Sequence, residues 1–247
     1  MNKAIISKTA NIGKNVSIGE NVIIKDRVKI GKNCTLQNNI ILYEDTVIGQ
    51  NVLIQDGAVV GKLPVKSKLI KIKSPTNLKP LVIGKNTTIG TYAVIFAGTT
   101  IGNNCLIGDG VNIREKSRIG HNTLISRGVI VNNNTSIGNN CRVMDQSYLT
   151  GGMIIEDDVF ISLHVVSTND NAMARGSNFV PVPPIVKKGA LIGAGVCLLP
   201  GVEIGEYSVV GTGAVVTKNV PPRKLAWGVP AKVVKDTPAK FLPKKLL

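Results

Sequence analysis

The stretch Ile101-Gly102-Asn103-Asn104-Cys105-Leu106-Ile107-Gly108-Asp109-Gly110-Val111-Asn112-Ile113 decides the fold of this chain, because a large aliphatic returns at every sixth residue. The same phase runs unbroken through Ile83, Ile89, Ile95, Ile101, Ile107, Ile113, Ile119, Ile125, Val131, Ile137, Val143, Leu149, Ile155 and Ile161. An earlier run holds Ile12, Ile18, Ile24, Ile30, Leu36, Leu42, Ile48, Ile54 and Val60, and a later one holds Val186, Ile192, Leu198, Ile204, Val210 and Val216. Helices need apolar residues at spacings of three and four, and plain strands alternate at two. A fixed short period sustained this long predicts an all-β parallel solenoid, in which each turn buries its inward side chains against its neighbours.

Two residues before each aliphatic stands a small or β-branched residue, as at Val52, Thr87, Ala93, Thr99, Cys105, Thr123, Thr135, Cys141, Ala190 and Ala214. Glycine often follows the aliphatic, as at Gly84, Gly102, Gly120, Gly138 and Gly193, and Asn, Asp, Lys and Glu fill much of the rest. Each unit therefore reads as a short extended segment and a corner, with glycine and asparagine supplying positive φ or close backbone approach.

The pattern aliphatic–Gly–x–x–small–x resembles the hexapeptide repeat of the left-handed parallel β-helix acyltransferases over about residues 10–218. The resemblance implies three units per triangular coil and the left hand; the usual rule for parallel crossovers would give the opposite hand. It divides the chain into a β-helix over residues 1–218, with excursions at 61–82 and 167–184, and a C-terminal segment over 219–247. Residues 236–247 read as a tail or short helix capping the last coil.

Composition bounds the function only loosely. Aromatics make up 4% of the chain, as a narrow core requires, and no apolar run is long enough for a membrane-spanning helix. The first ten residues lack a signal peptide's apolar segment, so the expected location is cytoplasmic. Cys34, Cys105 and Cys141 fall on the small inward position, whereas Cys197 does not and is expected to be half-exposed. No metal-ligand spacing is present, so no metal is expected. The net charge of +15 suits anionic partners. The cations are scattered over corners without a nucleic-acid motif or stacking aromatics, which argues against nucleic acid.

Function in a solenoid gathers where the repeat breaks. The break at 61–80 carries Lys62, Lys66, Lys68, Lys71, Lys73 and Lys79, and reads as a solvated excursion or as a flap over a phosphorylated ligand. The break at 167–184 is rich in hydrogen-bonding side chains. It follows Phe160-Ile161-Ser162-Leu163-His164-Val165-Val166, a segment similar to one in bacterial N-acetyltransferases of nucleotide-linked amino sugars. Thr168, Asn169 and Asp170 match that family's motif, while His164 stands where many members have asparagine. His164, an imidazole suited to proton transfer at the mouth of this loop, and Asn169 and Asp170 are candidate catalytic residues, the latter two alternatively stabilising the loop's turns through Asx hydrogen bonds; Thr168 and Arg175 are candidate acceptor contacts.

The later stretches Ile192-Gly193-Ala194-Gly195, Leu199-Pro200-Gly201-Val202-Glu203-Ile204-Gly205 and Gly228-Val229-Pro230-Ala231-Lys232 resemble the superfamily's acetyl-CoA-binding end. By that likeness Ala194, Gly195 and Thr212 would line the pantetheine arm, with Lys218, Arg223 and Lys232 near the phosphates. O-acetyltransferases of the superfamily carry a histidine at the position held here by Gly195. A hydroxyl needs a base to attack, whereas a neutral amine does not, so the absence favours N-acylation.

The expected function is acetyl-CoA-dependent N-acetylation of a nucleotide-linked amino sugar, the 3-amino position foremost, for surface polysaccharide, by a homotrimer with shared clefts. An O-acetyltransferase using His164 as base and a non-catalytic structural solenoid remain as alternatives. His121 reads as a solvated corner residue.

Overall fold

The computed structural model describes residues 3–65, 67, 77–173, 175 and 180–244. Lys66, Lys68, Lys71 and Lys73 of the first break, residues 174 and 176–179 of the second, and the last three residues lie outside them. Strands of mostly two residues follow one another from Ile5–Ile6 to Val215–Val216 and turn through three flat faces. Every third strand returns to the same face, giving sheets of 11, 10 and 12 strands. Pairing along each face is parallel and in register: Ile101 lies on Ile119, Ile107 on Ile125 and Ile113 on Val131.

The register explains the six-residue phase. The second residue of each strand points inward, so Ile89, Ile95, Ile107, Ile113 and Ile125 are wholly buried in one continuous core. Each such burial contributes roughly 1.5–3 kcal/mol over an exposed side chain. The small inward positions have a second use. Thr123 Oγ1 donates to the Gly138 carbonyl of the next coil at 2.9 Å, and Cys141 Sγ approaches the Glu156 carbonyl at 3.0 Å. Thr, Ser and Cys suit these sites because they are narrow and can satisfy a carbonyl that bends into the core.

The three corners differ in what they carry, and they are named here for that. The loop corner joins the 11-stranded face to the 10-stranded one. The asparagine corner follows the 10-stranded face, and the open corner closes the coil back to the 11-stranded face. At each corner the residue in the left-handed region is the third after the aliphatic, for example Asn104 (φ 56°) after Ile101. The glycine directly after the aliphatic has a different task. A Cβ on Gly120 would lie 2.5 Å from Gly138 backbone atoms, so this position is bare to let coils stack closely. The sequence reading had joined these two roles.

Both excursions leave from the loop corner, after strands Val59–Lys62 and Val166–Ser167. They lengthen a coil from 18 residues to 35 and 31, as the pairings Val47 with Val82 and Ile154 with Ile185 show. Five strand steps separate them on the 11-stranded face, roughly 24 Å at ~4.8 Å per step.

Ahead of the expected tail or short helix, the C-terminal segment holds a hairpin that the sequence did not announce. Lys224–Gly228 adds a parallel strand to the 12-stranded face, and Ala231–Asp236 folds back antiparallel on it around a cis Val229–Pro230 bond. This hairpin covers the last coil, and Lys232 and Lys235 stand on its edge strand, where charge discourages further pairing. A short 3-10 helix does follow, Ala239–Phe241, but it buries none of its own residues.

Candidate active site

The asparagine corner shows how a closed corner is built. Asn15, Asn33, Asn51, Asn86, Asn104, Asn122, Asn140 and Asp158 stack in one column, and each Nδ2 donates to the Oδ1 above at 2.9–3.3 Å. From Asn103 to Asp157 the preceding residues form a second column whose side chains cap the backbone amides beneath them. Asn103 Oδ1 accepts from Lys85 N–H, His121 Nδ1 from Asn103 N–H at 2.9 Å, and Asn139 Oδ1 from His121 N–H. His121 is thus an exposed member of a structural ladder, as the sequence suggested.

The open corner begins in the same way. In its lower coils Asn38, Asp56 and Asp109 cap the amides of Glu20, Asn38 and Thr91 at 2.8–2.9 Å. Further up, the caps stop. Leu163, Ala194 and Thr212 succeed one another in the capping column, and none carries a carboxylate or amide. Their backbone N–H groups have no hydrogen-bond partner among the described residues. The adjacent left-handed column holds His164 (φ 56°), Gly195 (φ 65°) and Gly213 (φ 71°). A Cβ added to Gly195 or Gly213 would meet nothing within 4 Å. Two successive coils above His164 are therefore bare and lined with free amide donors.

His164 itself is exposed, and its ring makes no hydrogen bond among the described residues; its backbone N–H donates to Asp145 O at 3.0 Å. The Asp145 carboxylate, one coil below, is held under the usual carboxylate range by hydrogen bonds from Ser126 and Arg127. No hydrogen bond joins it to the imidazole among the described residues.

The structure gathers some of the candidate residues and disperses others. Ala194, Gly195 and Thr212 share the open corner with His164. Lys232 reaches the top of the same corner, since it pairs with Trp227, whose Cβ lies 2.9 Å from a Cβ built on Gly211. Lys218, exposed, follows strand Val215–Val216 and lies at the loop corner. Arg223 (φ 58°) lies at the asparagine corner, where its N–H donates to Glu206 O and its carbonyl accepts from Thr237 N–H.

Thr168, Asn169 and Asp170 open the second excursion on the loop corner. Five residues of near-extended chain, roughly 16 Å, separate Asn169 from His164 across the 11-stranded face. Asn169 Nδ2 donates to Gly151 O at 2.9 Å and its carbonyl accepts from Val182 N–H, so it ties the excursion's two ends to the coil below. Asp170 Oδ1 accepts from Ala172 N–H at 2.6 Å, an Asx turn. Arg175 is exposed, and its N–H donates to Ala172 O. Between the two corners the outward row of the face is Tyr148, Val166 and half-exposed Cys197.

Sequence reasoning missed two groups. Trp227, the chain's one tryptophan, stands 46% exposed over the open corner. The free Leu163 amide could have been found only by aligning residue 163 with residue 194, across an excursion of unknown length.

The family described as the GMPPB C-terminal domain matches residues 1–76 and again 77–175, and the bacterial transferase hexapeptide (six repeats) matches 183–218. The chain belongs to the GMPPB C-terminal domain family of hexapeptide-repeat proteins. Among solved structures, the hexapeptide fold of this chain is similar to Arabidopsis UDP-N-acetylglucosamine acyltransferase. The TM-score is 0.63 at 21% identity, covering 95% of this chain and 73% of that one. It is also similar to LpxA, a UDP-N-acetylglucosamine acyltransferase from Bacteroides fragilis, with a TM-score of 0.52 at 24% identity and the same coverage. At these identities the likeness shows the fold alone, the left-handed parallel β-helix of hexapeptide-repeat acyltransferases.

In sequence, the chain is 42% identical over 84 residues to serine acetyltransferase of Buchnera aphidicola subsp. Schizaphis graminum, covering 34% of this chain and 31% of that protein. It is 37% identical over 107 residues to a Staphylococcus aureus (strain COL) protein named as an acetyltransferase, covering 41% and 54%. The chain spans between 31% and 54% of the length of these curated relatives. No helix among the described residues is long and apolar enough to cross a membrane.

Proposed function

We propose that this hexapeptide-repeat protein is an acetyl-CoA-dependent N-acetyltransferase of a nucleotide-linked amino sugar. The observation that carries the reading is the open corner: free amides of Leu163, Ala194 and Thr212 beside the empty space over Gly195 and Gly213. A flexible chain bearing amides, such as a pantetheine arm, fits there because its carbonyls can accept from amides that the protein leaves unpaired. Trp227 and Lys232 stand where the arm would leave the corner, offering a ring face and a cation to the nucleotide end of CoA.

Acetyl-CoA supplies the acyl group as a thioester. His164 lies beneath the bare glycines, with an imidazole free to accept the proton that the attacking amine releases. No side chain at Gly195 reaches that space, so strong deprotonation is not provided there. A neutral amine tolerates this better than a hydroxyl does. Thr168, Asn169 and Asp170 would orient the acceptor from the loop corner. In a trimer of parallel helices, the loop corner of one protomer would face the open corner of its neighbour, which would bridge the separation within a single chain. Lys218 and Arg223 would then meet phosphates from a neighbouring protomer.

The free imidazole of His164 also favours a second reading, O-acetylation with His164 as base. Matched amino and hydroxy nucleotide sugars, assayed with acetyl-CoA by mass spectrometry, separate the two; acetylation of the hydroxy sugar alone refutes N-acetylation. His164→Ala should lower turnover about 100-fold while leaving the CoA Kd within twofold, and His164→Asn should recover part of the loss. A sedimentation run showing a stable monomer would refute the shared cleft.

A further inference from the structure

The 10-stranded face carries a groove that the open corner does not use. Two depressions of about 410 and 680 Å3 meet there, both lined by Val47 and Pro80. Along the strand order, Lys29 stands on the second strand of this face, Val47 on the third, Val82 on the fourth, Thr100 on the fifth and Arg118 on the sixth. Lys79 enters from the loop corner beside the fourth strand. Cations therefore recur at the second, fourth and sixth coils, in steps of roughly 10 Å along the stacking axis at ~4.8 Å per coil, with Lys79 offset toward the loop corner. Aliphatic and proline surface lies between them. Lys29, Lys79 and Arg118 have no carboxylate partner within 4.0 Å among the described residues. The groove's other cation, Arg27, is already paired with Asp45 at 2.7 Å.

We propose that this groove binds a linear acidic glycan bearing one carboxylate per disaccharide. Such a chain spaces its charges by two sugar rings, which matches the two-coil interval, and the apolar faces of its rings suit Val47, Pro80 and Val82. The regular face fixes the backbone positions that carry the cations, which lowers the order that has to be imposed on binding. A single-stranded nucleic acid offers a phosphate at every nucleotide, a shorter interval, and the groove has no aromatic lining on which bases could stack. The proposal does not depend on the acetyl-transfer reading, because none of these residues belongs to the open corner.

The test is fluorescence anisotropy of an end-labelled hyaluronan octasaccharide titrated with the full chain. The doubly substituted Lys29→Glu, Arg118→Glu protein should bind at least tenfold more weakly, and binding of the unsubstituted chain should fall as salt rises. Lys85→Glu, on the asparagine corner, should stay within twofold of the unsubstituted chain. Unchanged circular dichroism in the double variant excludes unfolding as the cause. Absence of binding by the unsubstituted chain, equal binding by the double variant, or equally tight binding of an eight-residue oligothymidylate would each overturn the proposal.

Discussion

The asparagine corner and the upper open corner are made from the same six-residue unit, yet one is sealed and the other is bare. At the asparagine corner every step from Asn15 to Asp158 is bonded to the next, and from Lys85 to Asn139 the amides beside it are capped. At the open corner the left-handed positions change to His164, Gly195 and Gly213, and the capping column changes to Leu163, Ala194 and Thr212. A solenoid stabilises itself by satisfying each coil from the one above. Where that satisfaction is withheld on adjacent coils, the donors remain available to a ligand, and stability must come from the core beneath. That core is unbroken there, since Ile161, Val165, Ile192, Val196 and Ala214 are all fully buried.

The difference can be removed by closing the open corner. Ala194→Asp and Thr212→Asp together place carboxylates over the Leu163 and Ala194 amides, copying Asp56 over Asn38. CoA affinity should fall at least 100-fold, read by calorimetry and by Trp227 emission, while the denaturant midpoint holds or rises. Unchanged affinity would mean that the free amides are not the binding feature.

Opening the closed corner is the converse experiment. Asn104→Ala loses two ladder bonds and forces alanine into the left-handed region, costing about 2 kcal/mol by denaturant titration. CoA affinity should not change, and a drop in it would show that the two corners are coupled.

A comparable effect comes from the core that both corners share. Burial pushes the Cys141 thiol up to about 11, and the Cys34 and Cys105 thiols are raised for the same reason. The folded state then holds these protons more tightly than the unfolded state does. Stability is full below the unfolded value near 9 and declines as pH rises toward 11. Unfolding free energies at pH 8 and pH 10.5 should differ by at least about 2 kcal/mol, and Cys141→Ala should flatten the decline; equal slopes would refute the assignment. Only Cys197 should react with Ellman's reagent in the native protein. The smallest change is Thr46→Val. Thr46 Oγ1 is buried without a partner among the described residues, so the isosteric swap should raise stability by up to about 1 kcal/mol, and a loss would show that the hydroxyl is satisfied in solution.

Much of the fold was legible because its cause is local. Ile101 through Ile161 mark the inward side of each strand whatever lies above them, and Cys34, Cys105 and Cys141 share their buried position. The hairpin at Lys224–Gly228 and Ala231–Asp236 was not legible, since it leaves the six-residue phase and depends on docking against Val209–Val210. The candidate site was legible only as residue types. His164, Ala194, Gly195 and Thr212 were candidates in sequence and share the open corner, but Lys218 and Arg223, grouped with them, occupy the other two corners.

The sequence by itself determined that a six-residue unit stacks into a parallel solenoid, because inward burial repeats with the chain's own period. Only the tertiary structure decided which corner each polar residue joins and which amides go uncapped. Those outcomes depend on the residue lying one coil above, and the two excursions shift that partner from 18 positions away to 35 or 31.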